Sequence, residues 1–298
     1  MRAVWSFWTR PFKEYYRQLW ISEKHHLLAW VLSVEAARKH YPETALITDD
    51  DGAALLVDRI GLNFQRVSTE LSALRAEDAR WFNLGKLHAY RSQEGPFVHI
   101  DSDVFLWKPL PPWAQAAPIF AQNPELFPED GVTCYRPEMC QTTIQSSGGW
   151  LPDEWIWYNG RGGNEAVNCG VLGGNHTRFI GYYADQAISM MQHLDNQAAW
   201  KSLAAGVGDG IMIEQYFLSA CIQYHKKRNG SSYSDVALKY LFSTFNKSFE
   251  PKRAKALGYT HLINGAKKNA DIATRLEERV RRDHPEYYDR CVMHADEE

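Results

Sequence analysis

The sequence predicts an α/β fold, with a central, mostly parallel sheet flanked by helices. Two observations predict it. Short apolar runs of strand type alternate with longer segments of helical period, the pattern that βαβ units produce. Polar residues also stand directly after three of these runs, at Trp8-Thr9, Asp49-Asp50-Asp51 and Asp101-Ser102-Asp103. Ligands of such sheets bind beyond the carboxyl ends of the strands.

Taken in order, Ala3 to Trp8 reads as the first strand, ended by Thr9-Arg10-Pro11. Glu23 to His40 reads as a helix, because Leu27, Leu28, Val31, Leu32 and Val34 repeat at helical spacing, and Pro42 closes it. Ala45 to Thr48 is the second strand, followed by a short helix through Ile60 that the three aspartates cap. Asn63 to Val67 is the third strand, Asp78 to Arg91 a helix, and Phe97 to Ile100 the fourth strand. The stretch 122–165 is rich in Pro, Gly, Thr and Trp and reads as a long loop insertion, which in a compact domain is functional or mobile. Beyond it come a buried strand over Ala166 to Leu172, helices over His176 to Leu194 and Gly210 to Tyr224, a late strand from Tyr259 to Ile263, and a charged amphipathic helix from Asn269 to Arg282. No linker separates the halves, so 1–298 is expected to form a single domain.

Composition narrows the function. The 298 residues are 45% apolar, enough for a substantial core, and the formal net charge is −3. No global basic field draws the chain to nucleic acid or to anionic lipid. Five cysteines, an odd number without metal-ligand spacing, suit a reducing, cytoplasmic setting. Arg2, Arg10, Lys13, Glu14 and Arg17 interrupt the N-terminal stretch, which reads as neither signal peptide nor anchor, and no run approaches a membrane span.

Asp101-Ser102-Asp103 carries the most chemistry. It lies between the apolar runs Phe97 to Ile100 and Val104 to Trp107. Acids in a loop often form a turn or a helix cap. Here strand-type residues flank them on both sides, and a charged pair in that position needs compensation. Two carboxylates at a strand end suit a hard divalent cation, Mg²⁺ or Mn²⁺, which in turn binds phosphate oxygens. The expected substrate is a diphosphate ester.

Four blocks then match a known family. They are Lys86-Leu87-His88, His99-Ile100-Asp101-Ser102-Asp103, Asn168-Cys169-Gly170-Val171-Leu172-Gly173-Gly174, and His261 with Lys267 six residues on. In this order the chain resembles the GT-A fold glycosyltransferases, and within them the glycogenin-like retaining group. The second block is similar to the D-x-D motif, the third to N-x-G-V. The fourth is similar to H-x-x-G-x-x-K, with the glycine one position late at Gly265. Glu214-Gln215 resembles a fifth element, D-Q-x-x-L, with Glu in place of Asp.

The resemblance implies a Rossmann-like GT-A domain with a nucleotide-binding half, 1–121, and an acceptor-facing half, 122–298. It implies transfer of a hexose from a nucleotide sugar, a UDP-sugar, with Mn²⁺ or Mg²⁺ and with retention. Asp101, Asp103 and His261 are then the metal ligands, Asp101 partly by way of the ribose. Ser102, Lys86, Gly265 and Lys267 serve the nucleotide diphosphate, and Trp8 and Thr9 hold the base. Trp8 reads equally as a core residue, Lys86 as a solvated helix face, and His261 as a strand-end histidine. Asn168, Glu214 and Gln215 face the donor sugar, and Asp209 or Glu214 is the base if the reaction inverts. The acceptor is a glycan, a peptide or protein, or a small molecule. Two alternatives share the residues: a nucleotidyltransferase, which lacks here the Gly-rich loop after the first strand, and a catalytically silent sugar- or protein-binding module.

Overall fold

A computed structural model gives the fold and describes residues 1–16, 19–127, 129–131, 134–203 and 208–296. Its strands are β1 (Arg2–Phe7), β2 (Thr44–Thr48), β3 (Arg66–Ser68), β4 (Phe97–Ile100), β5 (Val104–Leu106), β6 (Ile119–Leu126), β7 (Glu165–Gly174), β8 (Leu238–Tyr240) and β9 (Tyr259–His261). The chain forms two compact units. The first takes Met1–Ala79, Val98–Pro111 and Ala254–Glu298, and the second Arg80–Phe97 and Pro112–Arg253. The fold is α/β. The strands run in the order β3-β2-β1-β4 in the first unit and β7-β6-β8 in the second. β1 pairs parallel with β2, β2 with β3, and β6 with β8, while β6 and β7 run antiparallel.

In the first unit β2 is buried along its whole length, as expected of a strand covered on both faces. The helix Glu23–Arg38 starts at Ser22, whose hydroxyl accepts from His25 N–H, and buries a continuous run from His26 to Val34. Each fully buried Leu or Val in that run contributes about 1.5–3 kcal/mol. The helices Ala270–Asp283 and Pro285–Asp296 pack on it. β5 and β9 form a separate antiparallel pair in which Val104 faces His261. This register brings the residues after β4 beside a strand more than 150 positions later.

In the second unit the helix Gly208–Lys227 packs on β7 and on the helix Asp153–Asn159, and the helices Leu84–Arg91 and Thr177–Gln192 pack on each other. β7 ends at Gly174, whose φ of 146° only glycine adopts readily; a Cβ there would stand 2.1 Å from the Pro118 carbonyl oxygen.

The long loop expected over 122–165 is corrected. β6 runs to Leu126, and the helices Pro137–Ser146 and Asp153–Asn159 follow. Pro137 and Pro152 stand at the starts of these helices, where a missing N–H costs nothing. Trp155 is fully buried, edge-on to Tyr216 at 5.0 Å. Trp150 stacks on His193, and Arg161 covers the Trp157 ring at 4.3 Å. The tryptophans pin these helices in place. The helix expected from Asp78 begins only at Leu84, the third strand lies at Arg66–Ser68, and the helix Pro285–Asp296 was not anticipated.

Candidate functional site

The first unit gathers Asp101, Asp103 and His261. One ligand atom from each lies within 4.8 Å of the others. β4 delivers the two acids, which sit in a turn closed by Val104 N–H donating to the Asp101 carbonyl at 3.0 Å. β9 delivers His261, and Leu262 N–H donates to the Asp103 carbonyl at 3.0 Å, locking the two strand ends together. His261 Nε2 is 3.4 Å from Asp103 Oδ1, and Lys267 Nζ is 2.5 Å from Oδ2. Burial by itself would raise the Asp103 pKa. The Lys267 ammonium and His261 outweigh it and hold the carboxyl well below the usual carboxylate range. Tyr259 nearby is pushed well above the ordinary phenol value by burial and by the Asp101 and Asp103 charges. Two carboxylates and an imidazole are a donor set that suits a divalent metal ion.

A supporting shell was not foreseen. His99 Nδ1 lies 3.7 Å from Asp101 Oδ1, and the other ring nitrogen pairs with Ser6 Oγ at 2.9 Å. The Ser33 hydroxyl donates to the Asp101 carbonyl at 3.2 Å and accepts from Trp5 Nε1 at 2.9 Å. Such outer partners orient ligands. Ser33, a polar position within an apolar helical run, was the one visible hint.

Lys267 also lies 5.7 Å over the Trp20 ring, and its carbonyl accepts from Ile21 N–H. Ser102 is half-buried in the same turn. Gly265 lies in the short helix Asn264–Lys268, where a Cβ would meet nothing within 4 Å, so no steric demand explains it. Trp8 and Thr9 follow β1. Trp8 is only 5% exposed, and the Thr9 N–H and hydroxyl both donate to Asp49 Oδ2, at 2.9 and 2.7 Å. Asp49 caps the next helix through Gly52 N–H. Trp8 and Thr9 line a hollow of about 220 Å³ together with Arg10, Asp51, Ser72 and Arg75.

The second unit holds the remaining expected residues, all but Asp209 in two networks. Glu214 is 1% exposed. Its Oε1 meets Lys86 Nζ at 2.8 Å and the Tyr90 hydroxyl at 2.9 Å, and Oε2 accepts from Asn83 Nδ2. Lys86 also donates to the Cys169 carbonyl, so it is no solvated helix face. The second network centres on Glu125, which sequence reasoning missed. Glu125 Oε1 accepts from Asn168 Nδ2 at 2.6 Å and Oε2 from the Tyr135 hydroxyl at 2.5 Å, while Tyr135 also contacts Gln215 Oε1. Burial, then the Glu125 charge, raises the Tyr135 pKa well above normal, so it stays a donor. Asp209 opens the helix Gly208–Lys227, 3.6 Å from Arg136. Among the described residues no helix is long and apolar enough to cross a membrane, and the five cysteines are free thiols.

Among solved structures the chain is similar to one described as the crystal structure of the galactosyltransferase LgtC in complex with donor and acceptor sugar analogs. The two are 13% identical, the match covers 92% of this chain and 96% of that one, and the TM-score is 0.42. No curated protein matches the chain. A family model described as a family of unknown function, DUF6734, matches residues 1–294, and the chain therefore belongs to that family.

Proposed function

We propose that the protein is a metal-dependent glycosyltransferase that moves a hexose from a UDP-sugar to an acceptor, with retention. The observation that carries this is the convergence of Asp101 and Asp103 with His261, more than 150 positions later in the chain, with Lys267 on the same carboxylate. A structural salt bridge has no need of two further ligand-type side chains.

Asp103, Asp101 and His261 hold the cation, which when bound neutralises the charge that builds on the departing diphosphate. Lys267 reaches the diphosphate oxygens as a point charge. His99, held by Ser6, stands beside Asp101 and would orient its carboxylate. Trp8, Arg10 and Arg75 line the hollow that takes the nucleoside. In the second unit Asn168 and Gln215 are tied to one another through Glu125 and Tyr135. Both Glu214 oxygens are engaged, so its part is to fix Lys86 and the helix that carries Gln215 rather than to remove a proton.

The test is a panel of nucleotide sugars with Mn²⁺ or Mg²⁺, scored for slow donor hydrolysis by release of the nucleoside diphosphate. At least one UDP-sugar is expected to be cleaved, and cleavage to stop with a chelator and in Asp103→Asn. A panel in which no donor is bound or cleaved removes the basis for the proposal.

A further inference from the structure

Asp103 faces two cationic or cation-capable groups. Lys267 Nζ sits 2.5 Å from one oxygen and His261 Nε2 3.4 Å from the other. The lysine therefore already neutralises the carboxylate that a divalent ion needs. Its backbone is fixed by the bond from Ile21 N–H, but its four-carbon stem is flexible, and its side chain is 19% exposed. A cation held by Asp101, Asp103 and His261 and an ammonium 2.5 Å from one of those acids repel each other. The conflict ends when the lysine has another anion to go to. A diphosphate bound to the same cation supplies one.

We propose that Lys267 acts as an internal counter-ion that keeps Asp103 closed to divalent cations until a diphosphate draws it away, so that cation and nucleotide diphosphate load together. This rests on the metal centre proposed above and adds to it a cause for coupled binding. Trp20 gives the ammonium an aromatic face at 5.7 Å beside the acid, which favours the closed arrangement while no phosphate is present. Linkage makes the effect reciprocal: whatever UDP does to Mn²⁺ affinity, Mn²⁺ does to UDP affinity.

The experiment is Mn²⁺ binding to the full chain, followed by loss of the free-ion electron paramagnetic resonance signal, without nucleotide and with saturating UDP. The expected result is that Lys267→Met binds Mn²⁺ alone about tenfold more tightly than wild type, and that the factor by which UDP tightens Mn²⁺ shrinks to a similar degree. Lys267→Arg, which keeps the charge, should retain weak Mn²⁺ binding and strong coupling. Lys267→Gln serves as a second charge-free variant should Lys267→Met fold poorly by circular dichroism. Unchanged or weaker Mn²⁺ affinity in the charge-free variants overturns the inference and leaves the metal centre standing. No Mn²⁺ uptake by wild type, with or without UDP, overturns both.

Discussion

Glu214→Gln keeps the size of the side chain and removes its charge. Oε1 now meets Lys86 and Tyr90, and Oε2 meets Asn83. An amide offers one acceptor in place of two, so its NH₂ must oppose either the Lys86 ammonium or the Asn83 amide. The lysine, 13% exposed, loses its counter-charge. Breaking a buried pair from one side costs about 3–5 kcal/mol. Lys86 keeps the Cys169 carbonyl, which places the expected loss near the lower end, about 3 kcal/mol. In a chain of this size that lowers Tm by about 6–12 °C. Differential scanning calorimetry reads the shift, and urea denaturation gives the free energy. The double variant Lys86→Met with Glu214→Leu removes both charges and should recover about 2 kcal/mol or more relative to the sum of the single changes. A Tm within about 1 °C of wild type for Glu214→Gln would refute the reasoning.

The buried His26 ring is held neutral, its pKa pushed down to about 3 by burial first and by the Lys267 charge second. The unfolded ring titrates near 6.5, so its stabilising effect is whole above that pH and is lost as the pH falls toward 3. At pH 5 this is a loss of about 2 kcal/mol, and His26→Phe should abolish that part of the slope in urea titrations at pH 7 and 5. Asn168→Asp puts a second carboxylate against Glu125 Oε1, in place of an amide that donates at 2.6 Å. Two carboxylates so close cannot both ionise, so stability should drop by about 1–3 kcal/mol at pH 7 and recover below pH 5, measured by the same titrations. Gly174→Ala should destabilise by about 2 kcal/mol or more, because of its φ and the Pro118 carbonyl, whereas Gly265→Ala should stay within about 0.5 kcal/mol of wild type in thermal melts.

β1, the helix Glu23–Arg38, β2 and β4 were legible because their apolar periods are local, whereas the third strand and the helix expected from Asp78 were misplaced. Asp101 and Asp103 were legible for the same reason: their spacing is short and their flanks are plainly strand. His261 was not legible from pattern alone, because what makes it a neighbour is the β5–β9 register; only the resemblance pointed to it. The region 122–165 was misread because Pro137 and Pro152 punctuate helix starts in the same letters that mark loops. Glu125, Tyr135 and Ser6 carry no local signature at all, and His99 was read only as part of the acid-pair block. Their partners are set by packing, with Ser6 and His99 93 positions apart.

The most direct test of the metal centre is calorimetric titration of MnCl₂ into UDP-saturated wild type and Asp103→Asn. One ion per wild-type chain is predicted, with affinity at least about tenfold weaker in the variant, a difference of about 1.4 kcal/mol. Equal affinity in the two proteins would contradict the assignment of Asp101, Asp103 and His261 as the ligands of a divalent cation.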